Sequence, residues 1–309
     1  MDGGRLIENQ PMAERTATLL EIERFQQQGF VLISGLLAGQ EGKHYGDAVD
    51  RAVADRTQHD HRGLEEKTRY EQSFQQCLNL WEDHSAVRPL SFHPRIGRAA
   101  AALLSAESVR VWHDQALYKE AGGRETDPHQ DQPYWPITEA RTVTAWIPFQ
   151  SVRKENGAVG YMPGSHRLGL REFADIFGNT GLDLDAFPET RNRRFEYVDA
   201  ECGDVVFHHG LTVHRAYPNT SDLTRRVHTV IYFADGCTRS EAGHPSVDRP
   251  GVGIGEKIAS DLTPVAWPRP PGDLPATPPP PSPLLPGWPG WKGQWGGQRK
   301  EERQAKKPS

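Results

Sequence analysis

From residue 109 onward the chain breaks into short runs rich in β-branched and aromatic side chains, at 109–118, 142–149, 158–162, 195–198, 205–209 and 226–233, separated by Gly, Pro and Asn. That texture predicts an antiparallel all-β sandwich or barrel. A polar insert at 168–194 interrupts it. The stretch ahead of residue 109 reads differently. Leu19, Leu20, Ile22, Phe25 and Phe30 among polar residues predict an amphipathic helix that Gly29 ends, and 30–34 then predicts a strand with a turn at Gly35. Helices are expected again at 40–56 and at the alanine-rich 94–105. The strongly polar 57–88 supports no more than helical or mobile cover. The expected order is helices first, then a β-core.

At 309 residues and 34.6 kDa the chain has length for a sizeable core. We expect one domain over 16–262, with a helical cover at about 16–108 and the core at about 109–236, behind a flexible N-terminus at 1–15. The stretch 263–309 holds about half of the 25 prolines, with Trp288, Trp291 and Trp295, and is expected to be a disordered, proline-rich tail open to a protein partner. The net charge of −5 is spread over interspersed charges of both signs, which gives no footprint for nucleic acid or an anionic membrane. Cys77, Cys202 and Cys237 form no Cys-x-x-Cys pair, so reduced thiols are expected rather than a disulfide framework or a thiolate zinc cluster. With no secretory signal at residues 1–10 and no apolar run of membrane-spanning length, the expected location is cytoplasmic.

The chemistry centres on Asp127-Pro128-His129-Gln130-Asp131-Gln132. On a β-strand, His129 and Asp131 would share one face and take adjacent positions on a divalent metal. Two His and one carboxylate is the ligand set of non-haem Fe(II) oxygenases. The pair alone also fits a surface turn after Asp127-Pro128. His166, His208, His209, His214, His228 and His244 all follow, and a structural role suits any one of them taken singly. Arg225 lies eleven residues after His214, on a segment able to return beside a metal. His208 and His209 are read as structural, Ser165-His166 as part of a turn and not a catalytic pair, and Asn156-Gly157 as a type I′ hairpin turn.

Over about residues 20–235 the chain resembles the phytanoyl-CoA dioxygenase family of Fe(II)/2-oxoglutarate oxygenases. The pieces that carry the resemblance are 23–32, His129-Gln130-Asp131 followed by Tyr134-Trp135, Trp146-Ile147-Pro148-Phe149, Glu155-Asn156-Gly157, Met162-Pro163-Gly164-Ser165-His166, and His214 with Asn219 and Arg225. The resemblance implies a double-stranded β-helix, a jelly-roll and cupin-like core with flanking helices. It makes His129, Asp131 and His214 the iron ligands and sets Arg225 on the distal carboxylate of 2-oxoglutarate, where a planar guanidinium forms paired charge-assisted bonds. Arg226 points to the other face by strand alternation. Gln115, Trp146 and Gln130 fall at positions expected to line the co-substrate pocket. Two departures stand out: Ala216 replaces a hydroxyl-bearing residue two positions after the second His, and no Lys occurs near Cys77. Lys119 is close to the site in sequence, with a surface role equally compatible.

The expected cofactors are Fe(II), 2-oxoglutarate and O2, and the expected reaction is hydroxylation of an unactivated C–H in a small-molecule or acyl substrate, with release of succinate and CO2. Retention of Asp131 argues against a halogenase, which vacates that position for halide. Two alternatives stay open: a cupin-like metal-dependent isomerase or lyase that needs the triad without Arg225, and a catalytically silent β-helix binding protein.

Overall fold

The computed structural model describes residues 15–171, 181–186, 188–270 and 272–279. Among the described residues, eleven strands form two curled antiparallel sheets. The larger runs β1 (Phe30–Ile33), β8 (Val205–His209), β5 (Thr142–Pro148), β10 (Arg225–Ala234), β3 (Val109–Lys119) and β11 (Val265–Trp267), and β2 (Gln75–Leu78) also pairs with β3. The smaller runs β4 (Thr126–His129), β9 (His214–Ala216), β6 (Val159–Tyr161) and β7 (Glu196–Tyr197). Alternation along the strands gives each sheet an inner face, and Phe30, Trp146, Val206 and Val227 of the large sheet meet Val159, Tyr161 and Ala216 of the small one. This is the double-stranded β-helix implied by the sequence.

Helices cover the outer face of the large sheet. They are α1 (Leu19–Gln28), α2 (Gly39–Thr57), the single turns α3 (Leu80–Asp83) and α4 (Arg88–Ser91), and α5 (Pro94–Leu103). Val49, Val53, Ile96, Ala100 and Leu103 join Val143, Ala145, Phe207, Val230 and Tyr232 in one buried core. Thr18 starts α1 with a reciprocal cap: its hydroxyl accepts from the Glu21 N–H, and the Glu21 carboxylate accepts from the Thr18 N–H at 2.8 Å. Leu19 and Leu20 are 81% and 74% exposed, so the apolar stripe expected of this helix reduces to Phe25 and its neighbours.

Several expectations need correction. The stretch ahead of residue 109 is not helical cover alone. β1 falls where a strand was expected at 30–34, but β2 lies in the polar 57–88 and is held by backbone pairing with β3 rather than by apolar side chains. Asn156-Gly157 is not a type I′ turn: Gly157 has φ +90°, but Asn156 is not in the left-handed region that this turn requires at both residues. The proline-rich stretch is partly built into the fold, since β11 pairs with β3 and Ala266 is fully buried. Residues 280–309, with Trp288, Trp291 and Trp295, lie outside the described residues, as do 1–14 and the part of the polar insert at 172–180.

Gly29 joins α1 to β1 at φ +83°, and a Cβ there would stand 2.5 Å from both His166 Nδ1 and Thr212 Oγ1. Its carbonyl accepts from the His209 N–H at 2.8 Å and the Thr212 hydroxyl at 2.7 Å, which pins the turn between β8 and β9. Gly29→Ala is expected to cost about 1–3 kcal/mol through the left-handed backbone and this crowding. A calorimetric Tm equal to that of the parent protein would show that His166 and Thr212 move aside freely.

Candidate active site

β4 ends on His129 and β9 begins on His214, and the two are direct register partners with ring centroids 4.2 Å apart. Each ring donates Nδ1–H to the carbonyl two residues before it, His129 to Asp127 at 2.8 Å and His214 to Thr212 at 3.0 Å. That choice of tautomer leaves both Nε2 lone pairs facing the interior. Burial pushes both imidazoles down to about 4, so each is neutral near pH 7, the form that binds metal.

Asp131 arrives by a different route from the one expected. The strand stops at His129, and Asp131 sits at φ −76°, ψ −41° ahead of a 3-10 turn, Gln132–Tyr134. Pro133 and the bond from the Gln132 N–H to the Gly210 carbonyl at 2.9 Å turn the chain there, so the carboxylate reaches the imidazoles by a bend and not by strand alternation. Oδ1 lies 3.7 Å from His129 Nε2 and 3.6 Å from His214 Nε2, and the three prospective ligand atoms all lie within 4.8 Å of one another. Burial opposes the charge on Asp131, but His214, His208 and His129 around it hold its carboxyl well below the usual range. Two imidazoles and one carboxylate with one side open fit a non-haem iron(II) ion.

Sequence reasoning missed His208. It was read as structural, yet its Nε2 lies 3.0 Å from Asp131 Oδ2. The signal was available: Val206 and His208 share a strand face, and Val206 is a register partner of Trp146 on the inner wall. Lys119 is likewise no surface residue. It is fully buried, its ammonium bonds the Arg124 carbonyl, and burial together with neighbouring Arg225 pushes it down to about 6.

Arg225 begins β10 and is 2% exposed. Its guanidinium donates to the carbonyls of Gly157 at 2.8 Å and Leu117 at 3.3 Å and lies 5.5 Å from the Trp146 ring centre. Burial lowers it to about 10, still cationic at neutral pH, and among the described residues no carboxylate pairs with it. Arg226 points to the opposite face and pairs with Asp50. One cavity of about 600 Å³ is lined by His129, Asp131, His214, Arg225, Gln115 and Trp146, with His208 and Ala216 beside them. Gln115 accepts a hydrogen bond from Gln76 on β2. Gln130 does not join this group. Its amide donates to the carbonyls of Gly169 at 3.0 Å and Leu211 at 2.7 Å and accepts from the Arg171 N–H at 2.8 Å, so it braces two loops away from the cavity.

The chain matches known proteins. A phytanoyl-CoA dioxygenase domain-containing protein 1 homolog from Dictyostelium discoideum is 32% identical over 119 residues, 37% of this chain and 42% of that protein. A phytanoyl-CoA dioxygenase from Arabidopsis thaliana is 30% identical over 132 residues, 41% of this chain and 46% of that one. The chain thus spans about half the length of the curated relatives it matches. Among solved structures, the non-heme alpha ketoglutarate dependent carbocyclase SnoK from nogalamycin biosynthesis superposes with a TM-score of 0.67 at 28% identity, over 81% of this chain and 96% of SnoK. The model of the phytanoyl-CoA dioxygenase (PhyH) family matches residues 25–227, which is more than half of the chain, and the protein belongs to that family.

Proposed function

We propose that the protein is an iron(II)- and 2-oxoglutarate-dependent oxygenase that hydroxylates an unactivated C–H bond of a small-molecule or acyl substrate. One observation carries this: a buried His, Asp, His cluster shares its cavity with a buried guanidinium that no carboxylate neutralises. A metal-dependent isomerase or lyase needs only the cluster, and a silent binding protein needs neither. Holding an unpaired cation out of water costs several kcal/mol, which a bound dicarboxylate offsets at its far end.

His129, Asp131 and His214 would hold the metal, and Arg225 would hold the distal carboxylate against the faces of Trp146 and Gln115. Iron(II) with 2-oxoglutarate supplies oxygen activation, yielding succinate, CO2 and one oxygen atom for the substrate. The two Nδ1–H bonds keep the imidazoles in the ligating tautomer, and Arg225 orients the co-substrate while Trp146 covers it from water. Tyr70, Phe74, Leu78, Tyr134 and Trp135 also line the cavity and give it an apolar, largely aromatic wall. Of the cations near it, Arg56 pairs with Asp83, Arg62 with Asp60 and Glu71, and Lys67 with Glu120, whereas Arg215 meets the Tyr197 hydroxyl and the Phe195 ring. Likeness to a carbocyclase favours a second outcome from the same machinery, ring closure in place of hydroxylation.

Asp131→Ala is expected to abolish succinate release and to remove the visible charge-transfer band that anaerobic Fe(II) and 2-oxoglutarate give the parent protein; unchanged turnover would sink the metal assignment. Arg225→Ala is expected to raise the concentration of 2-oxoglutarate needed for half-saturation by about tenfold to a hundredfold, the size of a lost charge-assisted bond. An unaltered requirement would point to another co-substrate. Ala216→Ser restores a hydroxyl to the cavity wall and is expected to lower that requirement about fivefold, one ordinary hydrogen bond, as read from the apparent KM.

A further inference from the structure

The two oxygens of Asp131 face different surroundings. Oδ1 looks towards the Nε2 atoms of His129 and His214. Oδ2 lies 3.0 Å from His208 Nε2 and accepts from the Thr144 hydroxyl at 2.9 Å. His208 is 2% exposed, and its ring stands 4.5 Å from that of His214. Behind it the Tyr161 hydroxyl lies 3.3 Å from His208 Nδ1, and Tyr161 is itself fixed, fully buried and stacked on Phe30 at 4.7 Å. A phenol that donates to Nδ1 leaves the ring hydrogen on Nε2, where it meets the carboxylate. Oδ2 therefore has two donors aimed at it, and Oδ1 has none.

We propose that His208, oriented by Tyr161, is a positioning residue that fixes Asp131 as a one-oxygen metal ligand. A carboxylate free to rotate can place both oxygens on a metal and fill a second coordination position. With Oδ2 tied to His208 and Thr144, that position stays open for the co-substrate. The inference rests on the metal site proposed above, and it assigns a role to two residues, His208 and Tyr161, outside the three ligands.

The test uses the full chain with His208→Phe, His208→Gln and Tyr161→Phe, loaded with Co(II), whose visible absorption reports coordination number, and titrated with Fe(II) against a chromophoric chelator. His208→Phe is expected to weaken Fe(II) binding by about tenfold to a hundredfold, the usual loss when a partner of a metal ligand is removed, and to change the Co(II) spectrum. His208→Gln, which still donates an N–H, is expected to recover most of both, and Tyr161→Phe to shift them less in the same direction. Parent affinity and spectrum in His208→Phe would overturn the proposal and leave His208 a packing residue. Equal damage in His208→Gln, with loss of one nitrogen coupling in the electron paramagnetic resonance of the Cu(II) form, would overturn it by making His208 a ligand. If His208→Phe does not fold, a parent-like Co(II) spectrum in Tyr161→Phe overturns it. A parent protein that binds no metal removes the metal site itself and this inference with it, whereas a metal-binding parent with indifferent variants removes this inference alone.

Discussion

The pairing of β3 with β10 runs from Lys119 opposite Arg225 to Val109 opposite Ala234, and the rest of the molecule takes its positions from that register. On the inner face it lines up Gln115 and Leu117 with Arg225, Val227 and Thr229. On the outer face it places Asp114 3.3 Å from His228. Asp114 also accepts from the Ser91 hydroxyl at 2.7 Å and the Trp81 N–H at 3.0 Å, so the ladder is tied to α4 and α3 through one buried carboxylate. A slip of β10 by one residue would turn Arg226 inward and carry His228 away from Asp114. The outer network thus protects the inner site, although it touches none of its residues.

Asp131, Arg225 and Lys119 are withdrawn from water within the barrel, and each has its own polar neighbours. Asp131 lies among imidazoles and one threonine hydroxyl. Arg225 rests on two carbonyls and an indole, and Lys119 on a third carbonyl. Direct pairing of Asp131 with Arg225 would be the cheaper arrangement in an empty barrel. Their separation leaves one end of the cavity suited to a cation and the other to an anion, which is the polarity a metal and a dicarboxylate require.

The β-core was legible in the sequence because its strands are short, β-branched and punctuated; strand alternation added that Arg225 and Arg226 face opposite ways, and the family resemblance chose between them. The triad was half legible. His129-x-Asp131 stood out, but the bend that unites the two residues depends on Pro133 and on a carbonyl from Gly210, a contact across the fold. The burial of His208 and Lys119 was not legible for a related reason: a polar residue on a strand has no burial sign of its own, and only the opposing sheet decides which face is inside. β2 was missed because Gln75-Gln76-Cys77-Leu78 carries almost no apolar pattern and is held by backbone pairing with β3. Gln130 lay between two ligands in sequence, and its neighbours' geometry drove it to the opposite side.

That polar strand also changes how the cavity's two halves relate. Gln76 on β2 and Gln115 on β3 share a side-chain hydrogen bond, so the wall contributed by the cover and the wall beside Trp146 are joined through one amide pair. A molecule that displaces or reorients Gln76 disturbs Gln115, and one that engages Gln115 presents a different Gln76 to the chamber. Thermodynamic linkage makes such an effect mutual: whatever factor one ligand imposes on the affinity of the other is returned in full. With the co-substrate at Gln115, as the proposed function has it, and the substrate at Gln76, the two affinities would be coupled quantities, tuned together by sequence drift in the cover strand.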